Sequence, residues 1–311
     1  MSSDSIFEGI QRLKYEIFNG KAANIFIGEH KSPLGGSGYE VRDIELWERG
    51  DSFSSIDWAL SLATWPDKIY KLDRVETKET PVAIVADCSP SMMLGFDPSG
   101  NKFKLLLHLI GVFSFTASYF QDSIAMALAG VDEDPYIPLR HGHGHIMNAI
   151  HSLIERADKF HEDNSEGKIS NSSGLDLNEA IGLIGSMVRR QSTIVIISDF
   201  MDAISGKVPL DMEILEYLSG RHRGNVMAVF AQDDNEFAWD DVRGMVLVRN
   251  IESGRVDEVA AKQFRTFMKS FVQEREQIRK KLSDIGIESL VLSWDDYFSR
   301  LSDFVASRRA V

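Results

Sequence analysis

Val82-Ala83-Ile84-Val85-Ala86-Asp87-Cys88-Ser89-Pro90-Ser91 is the stretch on which the fold of this 311-residue chain turns. Five apolar residues before Asp87 need cover on both sides, which is the situation of a strand inside a parallel sheet, and Pro81 stands just ahead of the run. Four other segments have the same character: SIAMALAG (123–130), TIVIIS (193–198), NVMAVFA (225–231) and ESLVLS (288–293). Helices are predicted between them, at 145–156, 176–189, 209–220 and 257–284, the last with Phe264, Phe267, Phe271, Ile278 and Leu282 on one face. Residues 103–120, FKLLLHLIGVFSFTASYF, are apolar on all sides, but slightly short for a bilayer and interrupted by Lys104 and His108, so they read as a central core helix rather than a membrane span. Strands alternating with helices predict an α/β fold with a mostly parallel sheet flanked by helices.

In such folds ligands bind beyond the carboxyl ends of the strands. Two strands end at or beside an aspartate: VAIVAD at Asp87 and TIVIIS just before Asp199. Asp87, Ser89 and Ser91 form a DxSxS pattern of one carboxylate and two hydroxyls, hard oxygen ligands of the kind Mg²⁺ or Mn²⁺ takes, and Asp199 is placed to hold metal-bound water. The same residue types also build turns in which Asp and Ser bond backbone amides, and spacing alone leaves both readings open. Cys88, the only cysteine, lies inside this loop, with no base or cation in view to activate it, and reads as an inert buried thiol. There is neither a Gly-x-Ser-x-Gly elbow nor a GxxxxGK[ST] phosphate loop.

Composition narrows the function classes. Acidic residues outnumber basic ones by 47 to 34, and a formal charge of −13 repels phosphate backbones, so nucleic acid is a poor partner. A lone cysteine and an N-terminus unlike a secretory signal point to the cytoplasm. Residues 5–17 read as a short amphipathic helix, and 25–79, broken by six glycines and prolines between Gly28 and Gly50, as short strands and turns. The expected organisation is a β-leaning N-terminal subdomain with a leading helix (1–79) and an α/β domain (80–311). Trp58 and Trp65 are expected in packing, 157–174 as an exposed polar loop, and the acidic run from Asp233 to Asp241 as a solvated loop. His141, His143 and His145 alternate with glycines, with His151 beyond them; a solvated loop is favoured over a Zn, Ni or Cu site because no cysteine or carboxylate sits at ligand spacing.

Four motifs in order carry a resemblance: GEHKSPLGGSG at 28–38, Arg49-Gly50-Asp51 with Ile56-Asp57-Trp58, DCSPSM at 87–92, and SDF at 198–200. Together they resemble the bacterial family called domain of unknown function fifty-eight, over most of the chain. The resemblance implies a von Willebrand factor A-like (Rossmann-type) domain with a metal-ion-dependent adhesion site, and a MoxR-type AAA+ ATPase as partner. The implied role is that of a non-catalytic adaptor in the maturation or assembly of a client complex. The metal set it implies is Asp87, Ser89, Ser91, Asp199 and Asp176, around Mg²⁺ or Mn²⁺, with an open position for a partner's carboxylate. The set is partial, because Leu175 stands where the adhesion site's threonine precedes the aspartate, and Ser52 to Ser55 depart from the family's GDDxRxIDW pattern. A structural subunit with a vestigial site and a metal-dependent hydrolase are the alternatives.

Overall fold

The computed structural model describes residues 31–35, 41–64, 66, 68–77, 80–94, 101–142, 144–165, 174–233, 243–249 and 256–309. The chain divides into two units, one spanning Ile27–Glu79 and the other containing Thr80–Val311. The predicted helix at 5–17, Trp65 and His143 lie outside the described residues.

The smaller unit comprises β1 (Lys31–Gly35), β2 (Val41–Leu46), α1 (Trp58–Thr64) and β3 (Tyr70–Thr77), with the strands antiparallel in the order β1-β3-β2. Helix α1, absent from the sequence reading, starts because Asp57 Oδ1 accepts the N–H groups of Ala59 and Leu60 at 3.0 and 3.2 Å, satisfying donors that the first turn leaves open. The Tyr70 N–H donates to Ser61 Oγ at 2.9 Å and ties α1 to β3. Lys71 bridges Glu45 and Asp51 at 3.3 and 3.0 Å. Asp51 and Asp57, both in the resemblance-bearing motif, thus hold this unit's own backbone and strands together. Trp58, expected in packing, is instead 54% exposed: it is the first residue of a helix that buries Ser61.

The larger unit runs β4 (Val82–Asp87), α2 (Pro90–Leu94), α3 (Asn101–Tyr119), β5 (Ile124–Ala129), β6 (Tyr136–Arg140), α4 (Gly144–Ser165), α5 (Leu177–Met187), β7 (Thr193–Ser198), α6 (Met201–Ile204), α7 (Met212–Arg221), β8 (Val226–Gln232), β9 (Met245–Arg249), β10 (Val256–Ala260), α8 (Ala261–Asp284), β11 (Glu288–Ser293) and α9 (Tyr297–Arg309). Six strands form one sheet in the order β11-β8-β7-β4-β5-β6, parallel except for β6, while β9 and β10 form a separate antiparallel ribbon. The five apolar runs are the five parallel strands. Period two explains their continuity: Ile84 and Ala86 face α3 and its core, whereas Ala83 and Val85 face the core containing Ala180, Ile181 and Ile184 of α5. Helix α3 touches β4, β5, β8, β11, α2 and α4, which is why its apolar residues go all round. Among the described residues no helix is long and apolar enough to cross a membrane.

Several expectations need correction. On α8 the buried row is Phe264, Met268, Phe271, Arg275, Ile278 and Leu282, stepping by four and three, and Phe267, one position off that row, is 59% exposed. Residues 256–260 are a strand rather than the start of that helix. Helix α4 continues to Ser165, where a loop was expected from 157; the buried stripe of Ile146, Ile150, Leu153 and Ile154 goes on through Ala157 to half-buried Phe160. Asp233 is buried rather than solvated. Strand β6 went unread because Pro138 argues against a strand; it is tolerated because β6 is the sheet's edge.

His108, midway along α3, is buried against the C-terminal segment, with Nδ1 3.2 Å from the Tyr297 hydroxyl and its ring edge-on to Trp294 at 4.8 Å. Burial pulls this imidazole from 6.5 down to about 4. The unfolded chain therefore takes up the proton first, so the contribution of neutral His108 is complete above pH 6.5 and lost as pH falls towards 4. We expect on the order of 3 kcal/mol of stability to disappear over that window through this residue. Urea unfolding at pH 7.5 and 4.5, compared between wild type and His108→Gln, checks it; equal pH slopes in the two proteins would refute the assignment.

Candidate functional site

Strands β4 and β7 are parallel neighbours with Ala86 opposite Ile197, so Asp87 and the Ser198-Asp199 pair leave the sheet at the same end. On the other side Asp87 is in register with Ala129 of β5. After β4 the chain reverses because Asp87 Oδ1 accepts the Ser89 N–H at 2.9 Å and the Ser89 carbonyl accepts the N–H groups of Met92 and Met93 at 3.0 and 3.2 Å, opening α2. The Ser89 and Ser91 hydroxyl oxygens lie 3.1 Å apart. After β7, Ser198 Oγ donates to Asp87 Oδ2 and accepts the Phe200 N–H at 2.8 Å. Phe200 is in the left-handed region at φ 54°, a conformation costly for a bulky side chain; its buried ring, centred 4.2 Å from that of Phe230, holds it there. Asp199 Oδ1 accepts the Met201 N–H at 3.0 Å, and Oδ2 accepts from the ammonium of Lys102 at 2.9 Å.

A third wall comes from residues 174–176, docked on the end of β5 by the Gly130 N–H, which donates to the Leu175 carbonyl at 2.8 Å. Gly174 has φ +132°, and a Cβ there would meet the Val131 backbone at 2.7 Å; only a residue without a side chain fits. Asp176 begins α5 with a capping box: it accepts the Glu179 N–H at 2.8 Å while Glu179 accepts the Asp176 N–H at 2.8 Å. The walls enclose a cleft of about 210 Å³ lined by Asp87, Ser89, Ser91, Gly130, Asp176 and Asp199, among others. All five predicted site residues therefore meet in one place.

Residues 42–280 match the family described as "Protein of unknown function DUF58". The chain belongs to the DUF58 family. It is also similar to the uncharacterized proteins Rv1480 of Mycobacterium tuberculosis (strain ATCC 25618 / H37Rv) and Mb1516 of Mycobacterium bovis, each 25% identical over 296 residues, covering 93% of this chain and 86% of the relative. No solved structure gives a significant match.

In this DUF58 chain the cleft is electrostatically loaded. Burial first, and then the charge of Asp199, push the Asp87 carboxyl up to about 6, against the hydrogen bonds from Ser198 and Ser89 that pull it down. Burial, reinforced by Asp87, raises the Cys88 thiol, so this sulfur is a packed apolar atom and not a nucleophile. The hydroxyl spacing of Ser89 and Ser91 suits two neighbouring ligands of an octahedral ion, but the rest of the donor set does not fit a divalent cation. Leu175 offers only a side chain without a donor, Asp176 commits Oδ1 to the helix cap, and Asp199 is already ion-paired with Lys102. Among the described residues no group of three or more His, Cys, Asp or Glu side chains is arranged to hold a metal.

Of the described histidines, His141 Nδ1 lies 3.2 Å from the Gln121 carbonyl oxygen, while exposed His151 pairs with Glu155 at 3.3 Å. Lys102, Gly130 and Gly174 went unnoticed in the sequence, and Ser198 and Phe200 entered only as members of the SDF motif without a role. A lysine at the start of a helix that must be buried all round was a usable signal, since such an ammonium requires a buried counter-ion.

Proposed function

We propose that this DUF58 protein is a non-catalytic protein–protein interaction module, whose larger unit is a von Willebrand factor A-like domain gripping a partner in the strand-end cleft. By the family resemblance, that partner is a MoxR-type AAA+ ATPase, which the protein links to a client complex. The observation that carries the binding reading is the convergence of Asp87, Ser89, Ser91, Asp176 and Asp199 in one cleft at the carboxyl ends of the strands. What favours binding over hydrolysis is the occupation of the acids: Asp87, Asp176 and Asp199 each hold a backbone N–H, leaving a general base poorly supplied.

The test is retention of partners from native-host lysate by the immobilised protein, identified by mass spectrometry and followed by affinity measurement with the purified ATPase. Wild type is expected to retain the ATPase, and Ser89→Ala/Ser91→Ala and Asp87→Asn to weaken it at least about tenfold. Asp87→Asn should stay folded, because it removes a charge whose burial the site disfavours. Equal retention by all three proteins would make the cleft vestigial and the chain a structural subunit. Absence of the ATPase together with turnover of phosphate or ester substrates would replace the reading with a hydrolase.

A further inference from the structure

Lys102 stands in the first turn of α3, at the positive end of the helix dipole, with its side chain 1% exposed. Both features are unfavourable for an ammonium, and burying one costs several kcal/mol unless a partner compensates it. The compensation is Asp199, itself 3% exposed, whose Oδ2 lies 2.9 Å from Nζ. The lysine therefore reaches Asp199 from within the protein, and it does not line the cleft.

We propose that the ammonium of Lys102 is the resident cation of this site, held in place of a divalent ion, and that the site keeps its shape without metal. Asp87 and Asp199 are two buried acids close enough for the charge of one to bear on the other. A divalent ion held through them would share Asp199 with a fixed positive charge, at a cost that grows with the low polarity of the surroundings. What remains for such an ion is Asp87, two neutral hydroxyls and the second carboxylate oxygen of Asp176, whose Oδ1 caps α5, while Leu175 brings no side-chain oxygen. The fixed ammonium supplies charge compensation to Asp199, and it is selected by the fold rather than by the ion content of the cell. The inference concerns the cation alone and stands whether or not the cleft grips a partner.

The experiment is titration of chelator-treated full-length protein with Mn²⁺, followed by the electron paramagnetic resonance of the free ion. Wild type is expected to show no stoichiometric binding up to about 1 mM, the weak end of protein sites for hard cations. Lys102→Met is expected to bind one Mn²⁺ at least about tenfold more tightly than wild type, and Ser89→Ala/Ser91→Ala in that background to abolish it. A second measurement serves if Lys102→Met does not fold: in nitrogen-15 lysine spectra of wild type, a slowly exchanging ammonium signal is expected, lost in Asp199→Asn and unchanged by added Mg²⁺. Stoichiometric Mn²⁺ binding by wild type that disappears in Ser89→Ala/Ser91→Ala would overturn the proposal. So would displacement of the ammonium signal by Mg²⁺, or a folded Lys102→Met protein that gains no affinity.

Discussion

Lys102→Met is expected to destabilise the larger unit by about 3–5 kcal/mol, the cost of breaking a buried ion pair from one side. Methionine keeps most of the length and the apolar stem, so packing in the core under β4 is nearly preserved and the loss falls on Asp199, left charged and buried with only the Met201 N–H at 3.0 Å. Adding Asp199→Asn should return much of that loss, because an amide needs no counter-charge. The double variant is then more stable than Lys102→Met alone, which simple additivity does not allow. Equilibrium urea unfolding of the four proteins measures the coupling. A cost under about 1 kcal/mol for the single change would place the pair among weak surface-like contacts and remove the energetic basis for treating Lys102 as part of the site.

Gly174→Ala is the second change with a large expected effect, roughly 3 kcal/mol or more, from a left-handed-side backbone angle that alanine resists together with an impossible contact. Its Cβ would lie 2.7 Å from the backbone N, C and O of Val131, atoms fixed at the end of a sheet strand and unable to yield as a flexible side chain would. Relief requires lifting residues 174–176 from β5, which breaks the bond from the Gly130 N–H to the Leu175 carbonyl and moves Asp176 with the start of α5. Partner retention in the cleft should fall along with stability. By contrast Gly206→Ala, at φ +74° but with open space around its Cβ, should cost only the backbone term, about 1 kcal/mol. Thermal unfolding of both variants separates the two contributions; similar midpoints would show that close approach at Gly174 contributes nothing.

Strands β4, β5, β7 and β8 were legible because burial on two faces leaves an uninterrupted apolar signature, which β11 shares although it lies at the sheet's edge and is only partly buried, and Asp87 and Asp199 were legible because each acid ends such a run. Where burial is one-sided or marginal the signal fails. β6 contains a proline and exposes most of its residues, β10 carries two adjacent acids between its valines and so has no period-two pattern, and Phe267 resembles its buried neighbours while facing away from them. Asp176 was named only through a family pattern, and its observed work is to cap α5.

The amino-acid order by itself determined the α/β class, the five parallel strands and the end of the sheet at which polar groups gather, since each follows from local periodicity and the point where it stops. The occupation of those groups was decided by tertiary structure alone. Lys102 and Asp199 are 97 positions apart, Ser198 and Asp87 111 apart, and the glycine contact at 174 depends on a strand that ends 45 residues earlier. No local pattern encodes such pairings, because they arise from the order in which strands line up in the sheet, and that order also sets which charge neutralises which acid.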